Sequence, residues 1–78
     1  MITMKPVDSA LVKAWGYDYP NKILYLQLSK KDEIHLYHDV SVVVAGLFED
    51  APSKGKFFHQ HIKGQFRFTV VGKVPLDG

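Results

Sequence analysis

One run of alternating residues constrains the fold of this chain more than any other feature. In Ile23–Leu28 every second residue is a leucine, so one side of an extended strand is apolar and the other carries a tyrosine and a glutamine. The polar segment 29–32 then leads into a second β-prone run, Glu33–His38. Two such runs joined by a short polar connection predict an antiparallel β-hairpin.

A further strand and a helix are expected on either side of this hairpin. Ser9–Tyr17 suits a strand, and the turn that follows at 18–22 contains Asp, Pro and Asn, which favour turns. After the hairpin, apolar residues recur at helical spacing and predict a helix over Val42–Asp50, with Asp39 or Ser41 as its N-cap. The apolar stripe consists of Val40, Val43, Val44, Leu47, Phe48 and Ala51.

The segment from Ser53 to Gly64 predicts a second helix. Ser53 can cap its start, Gly64 can end it in a left-handed conformation, and Gly55 and Gly64 are expected to bracket it. Phe58 and Ile62 are four residues apart and provide an apolar side, so the helix is expected over Lys54–Lys63. The run from 66 to 71 then fits either a short strand or an extended strap.

Together these elements predict an α+β fold, in which a three-stranded antiparallel meander is followed by two helices packed on one sheet face. That face is expected to carry Leu24, Leu26 and Leu28. With 78 residues the chain is expected to form a single domain, 1–78, and we predict a core over about 7–68 with flexible ends at 1–6 and 72–78. The absence of cysteine, of a long apolar run and of a signal sequence predicts a cytoplasmic protein that is not bound to membranes.

Charge is distributed unevenly along the chain. Residues 1–50 contain five lysines and seven acids, whereas residues 51–78 contain five basic residues and one acid. This asymmetry favours a polyanionic partner for the second half. A solvated helix face is the alternative explanation for the same lysines.

The residues of the chain do not predict catalysis, a metal or a cofactor. His59 and His61 are about 200° apart around a helix, and His35 and His38 point to opposite sides of a strand. Ser53 is needed as a helix cap, and the chain lacks the strained turn that presents a nucleophilic serine in hydrolases. We therefore expect a binding domain and not an enzyme.

Nucleic acid is one expected partner. Lysines beside the start of a helix can contact phosphates, and an exposed aromatic ring can stack on a base. RNA or a single-stranded nucleic acid could contact the lysines through its phosphates and the aromatic ring through an unpaired base. The candidate nucleic-acid-binding residues are Lys54, Lys56, Lys63, Arg67, Tyr37 and His59.

The order of motifs resembles that of the KTSC domain, which is named for its occurrence at the C-terminus of some lysyl-tRNA synthetases and also occurs in small bacterial proteins. Two departures are His35-Leu36-Tyr37, where the family has two tyrosines, and His59, where it often has asparagine. The resemblance implies the α+β fold, and its synthetase context implies RNA as a partner. The residues that carry it are Val7-Asp8-Ser9, Trp15-Gly16-Tyr17-Asp18, Leu24, Leu26, Leu28, Ser53, Gly55, Phe57, Phe58, Ile62, Lys63 and Phe66.

A protein-interaction or regulatory module is the alternative function. Trp15, Tyr17, Tyr19 and Tyr25 lie on or beside the first two predicted strands, and they are more aromatic residues than one small core readily hides. If an open sheet face or edge remains, a second copy of the chain would cover it, which makes a homodimer the expected assembly in this case.

Overall fold

The fold is α+β, with one antiparallel sheet and two helices. The computed structural model describes residues 4–7, 11–29 and 33–71. Its sheet has five strands in the order β1-β2-β3-β4-β5, so each strand pairs with its neighbours in sequence. The strands are β1 (Lys5–Pro6), β2 (Val12–Asp18), β3 (Ile23–Leu28), β4 (Ile34–Tyr37) and β5 (Phe68–Val71). The helices are α1 (Val42–Asp50) and α2 (Lys54–Phe57), and α2 continues into a π-helical segment, Phe58–Ile62.

The predicted register of β3 is confirmed. Leu24 and Leu26 are fully buried in the main hydrophobic cluster, where they lie opposite Tyr17 and Trp15 of β2. A shift of one residue would turn both leucines to the other sheet face, so their burial fixes the orientation of the whole strand. The residues of this cluster are Val12, Trp15, Leu24, Leu26, Tyr37, Val40, Phe48, Phe58 and Ile62.

The prediction of a three-stranded meander is wrong in strand number. Three central strands occupy nearly the predicted positions, although β2 begins at Val12 and the predicted start at Ser9 lies outside the described residues. The two additional strands are short and lie at opposite edges of the sheet. β1 has only two residues, one of them a proline, and β5 settles the choice between a strand and a strap in favour of a strand. Neither is long enough to show a periodic pattern of its own.

Helix α1 occupies its predicted range, but only part of the predicted apolar stripe is buried. Ser41 is the N-cap, and its hydroxyl accepts a hydrogen bond from the Val44 N–H at 3.3 Å. Phe48 is fully buried and packs edge-on against Trp15, with ring centres 5.3 Å apart. In contrast, Val43 is 67% exposed and Leu47 is 55% exposed. The helix therefore contacts the core with a narrower side than its apolar stripe suggests.

The second helix begins and ends near its predicted boundaries. The Ser53 hydroxyl accepts a hydrogen bond from the Lys56 N–H at 3.3 Å, which confirms the predicted N-cap. Gly55 lies inside the helix, so the prediction that it marks a boundary is wrong. At the other end, the Lys63 N–H donates to the Phe58 carbonyl at 2.8 Å, and Gly64 follows with a φ of 78°. This left-handed conformation at Gly64 is the predicted helix end.

Candidate nucleic-acid interface

Lys54, a candidate phosphate ligand, caps the preceding helix. Its ammonium group donates to the carbonyl oxygens of Glu49 at 2.7 Å and Ala51 at 3.0 Å, and lies 5.8 Å from the centre of the Phe48 ring. These carbonyls are at the C-terminal end of α1, where the helix dipole favours a positive charge. Lys54 would have to give up both hydrogen bonds to contact a phosphate, so the structure places it outside the candidate interface.

Three other candidates lie along the exposed side of the second helical segment. We call Lys56, His59 and Lys63 the basic stripe. All three are exposed, because Phe58 and Ile62 occupy the buried side of the same segment. They follow one another at spacings of three and four residues, and none of them lies among the buried residues of the segment. Within the described residues, no hydrogen bond or ion pair holds the ammonium group of either lysine.

Arg67 extends the positive surface beyond the helix. Its guanidinium lies 3.7 Å from the Asp39 carboxylate, and the two side chains are 77% and 85% exposed. An ion pair this open to water contributes little free energy and is readily exchanged for another anion. Residues 51–71 contain four basic residues and no acid. Since this segment has no acid of its own, the acidic partner of Arg67 is Asp39, and a phosphate that binds Arg67 would displace it.

Tyr37, the candidate stacking residue, is buried. Only 3% of it is exposed, and its ring packs edge-on against Phe58 with ring centres 5.8 Å apart. Burial raises the pKa of Tyr37 to about 12. A ring enclosed in this way cannot receive a base, so the predicted stacking role of Tyr37 is wrong for this arrangement.

The exposed aromatic ring of this region is Phe68 on β5, which is 50% exposed. It stacks on His35, with ring centres 5.4 Å apart and planes at 11°, and on Tyr37 at 5.3 Å and 28°. We call Phe68, His35 and Tyr37 the aromatic platform. Sequence reasoning did not select Phe68, although its position directly after Arg67 was the available signal.

The described residues contain neither a cluster suited to a metal ion nor a helix suited to a membrane. No group of three or more His, Asp and Glu side chains lies close enough together there to hold a metal ion. In addition, none of the helices in the described ranges is long and apolar enough to cross a membrane. The exposed charged and aromatic groups described above are the basic stripe, Arg67 and the Phe68 ring of the aromatic platform.

Fold and surface together define a small α+β domain with helices on one face of a meander sheet and an acid-free basic segment. The KTSC domain family model matches residues 8–66, and the chain belongs to this family. The crystal structure of a KTSC domain protein from Yersinia pestis superposes with a TM-score of 0.88 at 32% identity, and the match covers 92% of this chain and 100% of that one. This agreement confirms the resemblance inferred from the sequence.

Two longer proteins are also similar to this chain. A lysine–tRNA ligase from Nostoc sp. is 35% identical over 65 residues, and one from Trichormus variabilis is 29% identical over 65 residues. Each match covers 83% of this chain and 11% of the ligase. The chain thus spans about a tenth of the length of these relatives.

Proposed function

We propose that this domain binds RNA through the basic stripe and Arg67 without catalysing a reaction. The observation that carries the proposal is the grouping of three exposed basic residues, Lys56, Lys63 and Arg67, in residues 51–71, where the sequence contains no acid. Such a surface attracts a phosphate backbone by charge and releases counterions when it binds. The similarity to ligases named for lysine and tRNA supports RNA as the polyanion.

The aromatic platform supplies the second part of the proposed interface. Phe68 is half exposed beside Arg67, and its ring is held by His35 and Tyr37 beneath it. An ordered ring of this kind offers a surface on which an unpaired base can stack. Contacts to phosphates combined with stacking imply binding that tolerates many sequences and prefers unpaired regions.

The test is a titration of fluorescently labelled bulk tRNA at several salt concentrations. We expect wild type to bind with an affinity that falls as salt rises, and Lys56→Gln/Lys63→Gln to bind more weakly. Each lost phosphate contact should reduce the slope of log K against log salt by about 0.7 to 0.9. The matched control is Lys13→Gln/Lys22→Gln, which removes the same charge from exposed positions outside residues 51–71. Equal binding by both double variants would refute the proposed site.

A separate substitution tests the stacking contact. Phe68→Leu keeps an apolar side chain but removes the ring, so it should lower the affinity while the salt slope stays the same. Loss of one stacked base corresponds to about 1 to 3 kcal/mol. An unchanged affinity would remove Phe68 from the interface and leave the phosphate contacts standing.

The alternative function, a protein-interaction module, was expected to use the aromatic residues of the first two strands. A different surface supports it better. Trp15 is buried and Tyr17 and Tyr25 are partly buried, whereas Tyr19 is 67% exposed, so three of the four expected aromatic side chains are at least partly covered. The other large apolar side chains that remain exposed are Val42, Val43 and Leu47 on α1 and Phe68 and Val70 on β5, and of these two elements only β5 also presents an unpaired strand edge among the described residues. An interaction through protein is therefore best sought at that edge of the sheet.

A further inference from the structure

The two edges of the sheet differ in how they are protected. β1 consists of Lys5 and Pro6, and a short edge strand with a lysine and a proline resists pairing with another chain. β5 consists of Phe-Thr-Val-Val and contains no charge, no proline and no shift in register against β4. Its side chains from Phe68 to Val70 are exposed. Although β5 is short, it therefore lacks the charge, the proline and the bulge that commonly hinder edge-to-edge association.

The hydrogen-bond pattern shows which backbone groups of β5 point outward. The His38 N–H donates to the Arg67 carbonyl at 2.9 Å, so these two residues form a hydrogen-bonded pair of the β4–β5 ladder. Such pairs alternate along an antiparallel ladder, which directs the backbone groups of Thr69 and Val71 toward β4. The N–H and C=O groups of Phe68 and Val70 consequently point away from the sheet. No other strand of the described residues pairs with that side.

We propose that β5 pairs antiparallel with β5 of a second copy of this chain, about a two-fold axis at Thr69. In this register Phe68 exchanges backbone hydrogen bonds with Val70 of the partner subunit, and Val70 does so with Phe68 of the partner subunit. Every outward backbone group of the two residues then has a partner. The strand is self-complementary, which is what selects a second copy as the occupant.

Side chains fit the same register. Phe68 and Val70 lie on one sheet face because they are two residues apart, so each aromatic ring meets a β-branched side chain across the interface, a favourable cross-strand pair. Arg67 lies opposite Val71 of the partner subunit, so no like charges face one another directly. The two-fold axis is perpendicular to the sheet, and it therefore places the helices of both copies on the same face of one continuous sheet. This assembly does not depend on RNA binding.

A single introduced cysteine tests the register. The chain has no cysteine of its own. Thr69→Cys places two thiols at the axis, where Cα atoms of a non-hydrogen-bonded pair are about 4.5 Å apart, within the range that a disulfide spans. In Val70→Cys the two thiols are diagonal neighbours, about 7 to 8 Å apart, and bridge poorly. Without RNA, we expect mild oxidation to link Thr69→Cys far faster than Val70→Cys. Equal rates, or no covalent dimer with Thr69→Cys, would overturn the proposal.

Sedimentation equilibrium tests the surface without a cross-link. Wild type should show a dimer whose fraction rises with protein concentration, as mass action requires. Val70→Lys, which adds a charge to the β5 edge, should be monomeric. Val43→Lys makes the same change at a valine on α1 that is 67% exposed, against 43% for Val70, and should remain dimeric. A monomeric wild type, or a dimer lost in Val43→Lys and kept in Val70→Lys, would contradict pairing through β5. High salt should not dissociate this dimer, which separates it from RNA binding.

Discussion

Replacing Lys54 with methionine isolates the contribution of the cap on α1. Methionine keeps most of the apolar stem and removes the ammonium group that donates to the carbonyls of Glu49 and Ala51. Water can replace the more exposed bond to Glu49, so the partly buried bond to Ala51 accounts for most of the loss, about 1 kcal/mol after allowance for its partial exposure. The favourable interaction with the helix dipole adds about 0.3 to 1 kcal/mol. We expect the free energy of unfolding to fall by about 1.5 kcal/mol.

Thermal and urea denaturation followed by circular dichroism would measure this loss. For a domain of this size, about 1.5 kcal/mol corresponds to a fall in Tm of about 6 to 12 °C. Lys56→Met removes the same charge two residues away, where the ammonium group is exposed, and should change stability by less than about 0.5 kcal/mol. If Lys54→Met is as stable as Lys56→Met, the capping argument is refuted. Lys54→Met should also keep the salt slope of RNA binding.

Two further substitutions probe the core. Phe58→Ala should cost about 3 to 5 kcal/mol in urea denaturation, because the buried ring leaves a cavity beside Tyr37, whereas the exposed neighbour variant His59→Ala should cost little. High pH should also destabilise the domain. Burial raises the pKa of Tyr37 from 10.0 to about 12, so native Tyr37 keeps a proton that the unfolded chain loses. The free energy of unfolding is therefore unaffected by the ionisation of Tyr37 below about pH 10, and it falls by up to about 2.5 kcal/mol as the pH rises through 12. Tyr37→Phe should lack that part of the pH dependence, and an identical loss in both proteins would contradict this origin.

Local patterns predicted the central strands and the helix boundaries well. The alternating leucines of β3 identify the buried face because a strand has a period of two, and only one register turns Leu24 and Leu26 toward the core. Ser53 and Gly64 mark the second helix because capping depends on neighbouring backbone groups. Interactions within a few residues of the chain were sufficient in these cases.

Tertiary contacts determined what the sequence could not predict. Val43 and Leu47 fit the helical period, yet they are exposed because α1 meets the core only through a narrow side. Lys54 was predicted to bind phosphate because it lies near the start of the second helix. Its role as a cap on α1 could not be predicted, because that contact depends on how the two helices are joined. Tyr37 is buried because it packs against Phe58 and stacks with Phe68 of β5, and both contacts join segments distant in sequence.

The order of the strands in the sheet has a consequence for folding kinetics. β2, β3 and β4 follow one another through short connections, so their pairing closes only small loops and can occur early. β5 reaches β4 only after the whole helical segment has been traversed, and its pairing therefore carries the larger entropic cost of closing a long loop. Hydrogen exchange should accordingly find the amides of Thr69 and Val71 less protected than those in the middle of β3, because β5 can detach while the central strands remain intact.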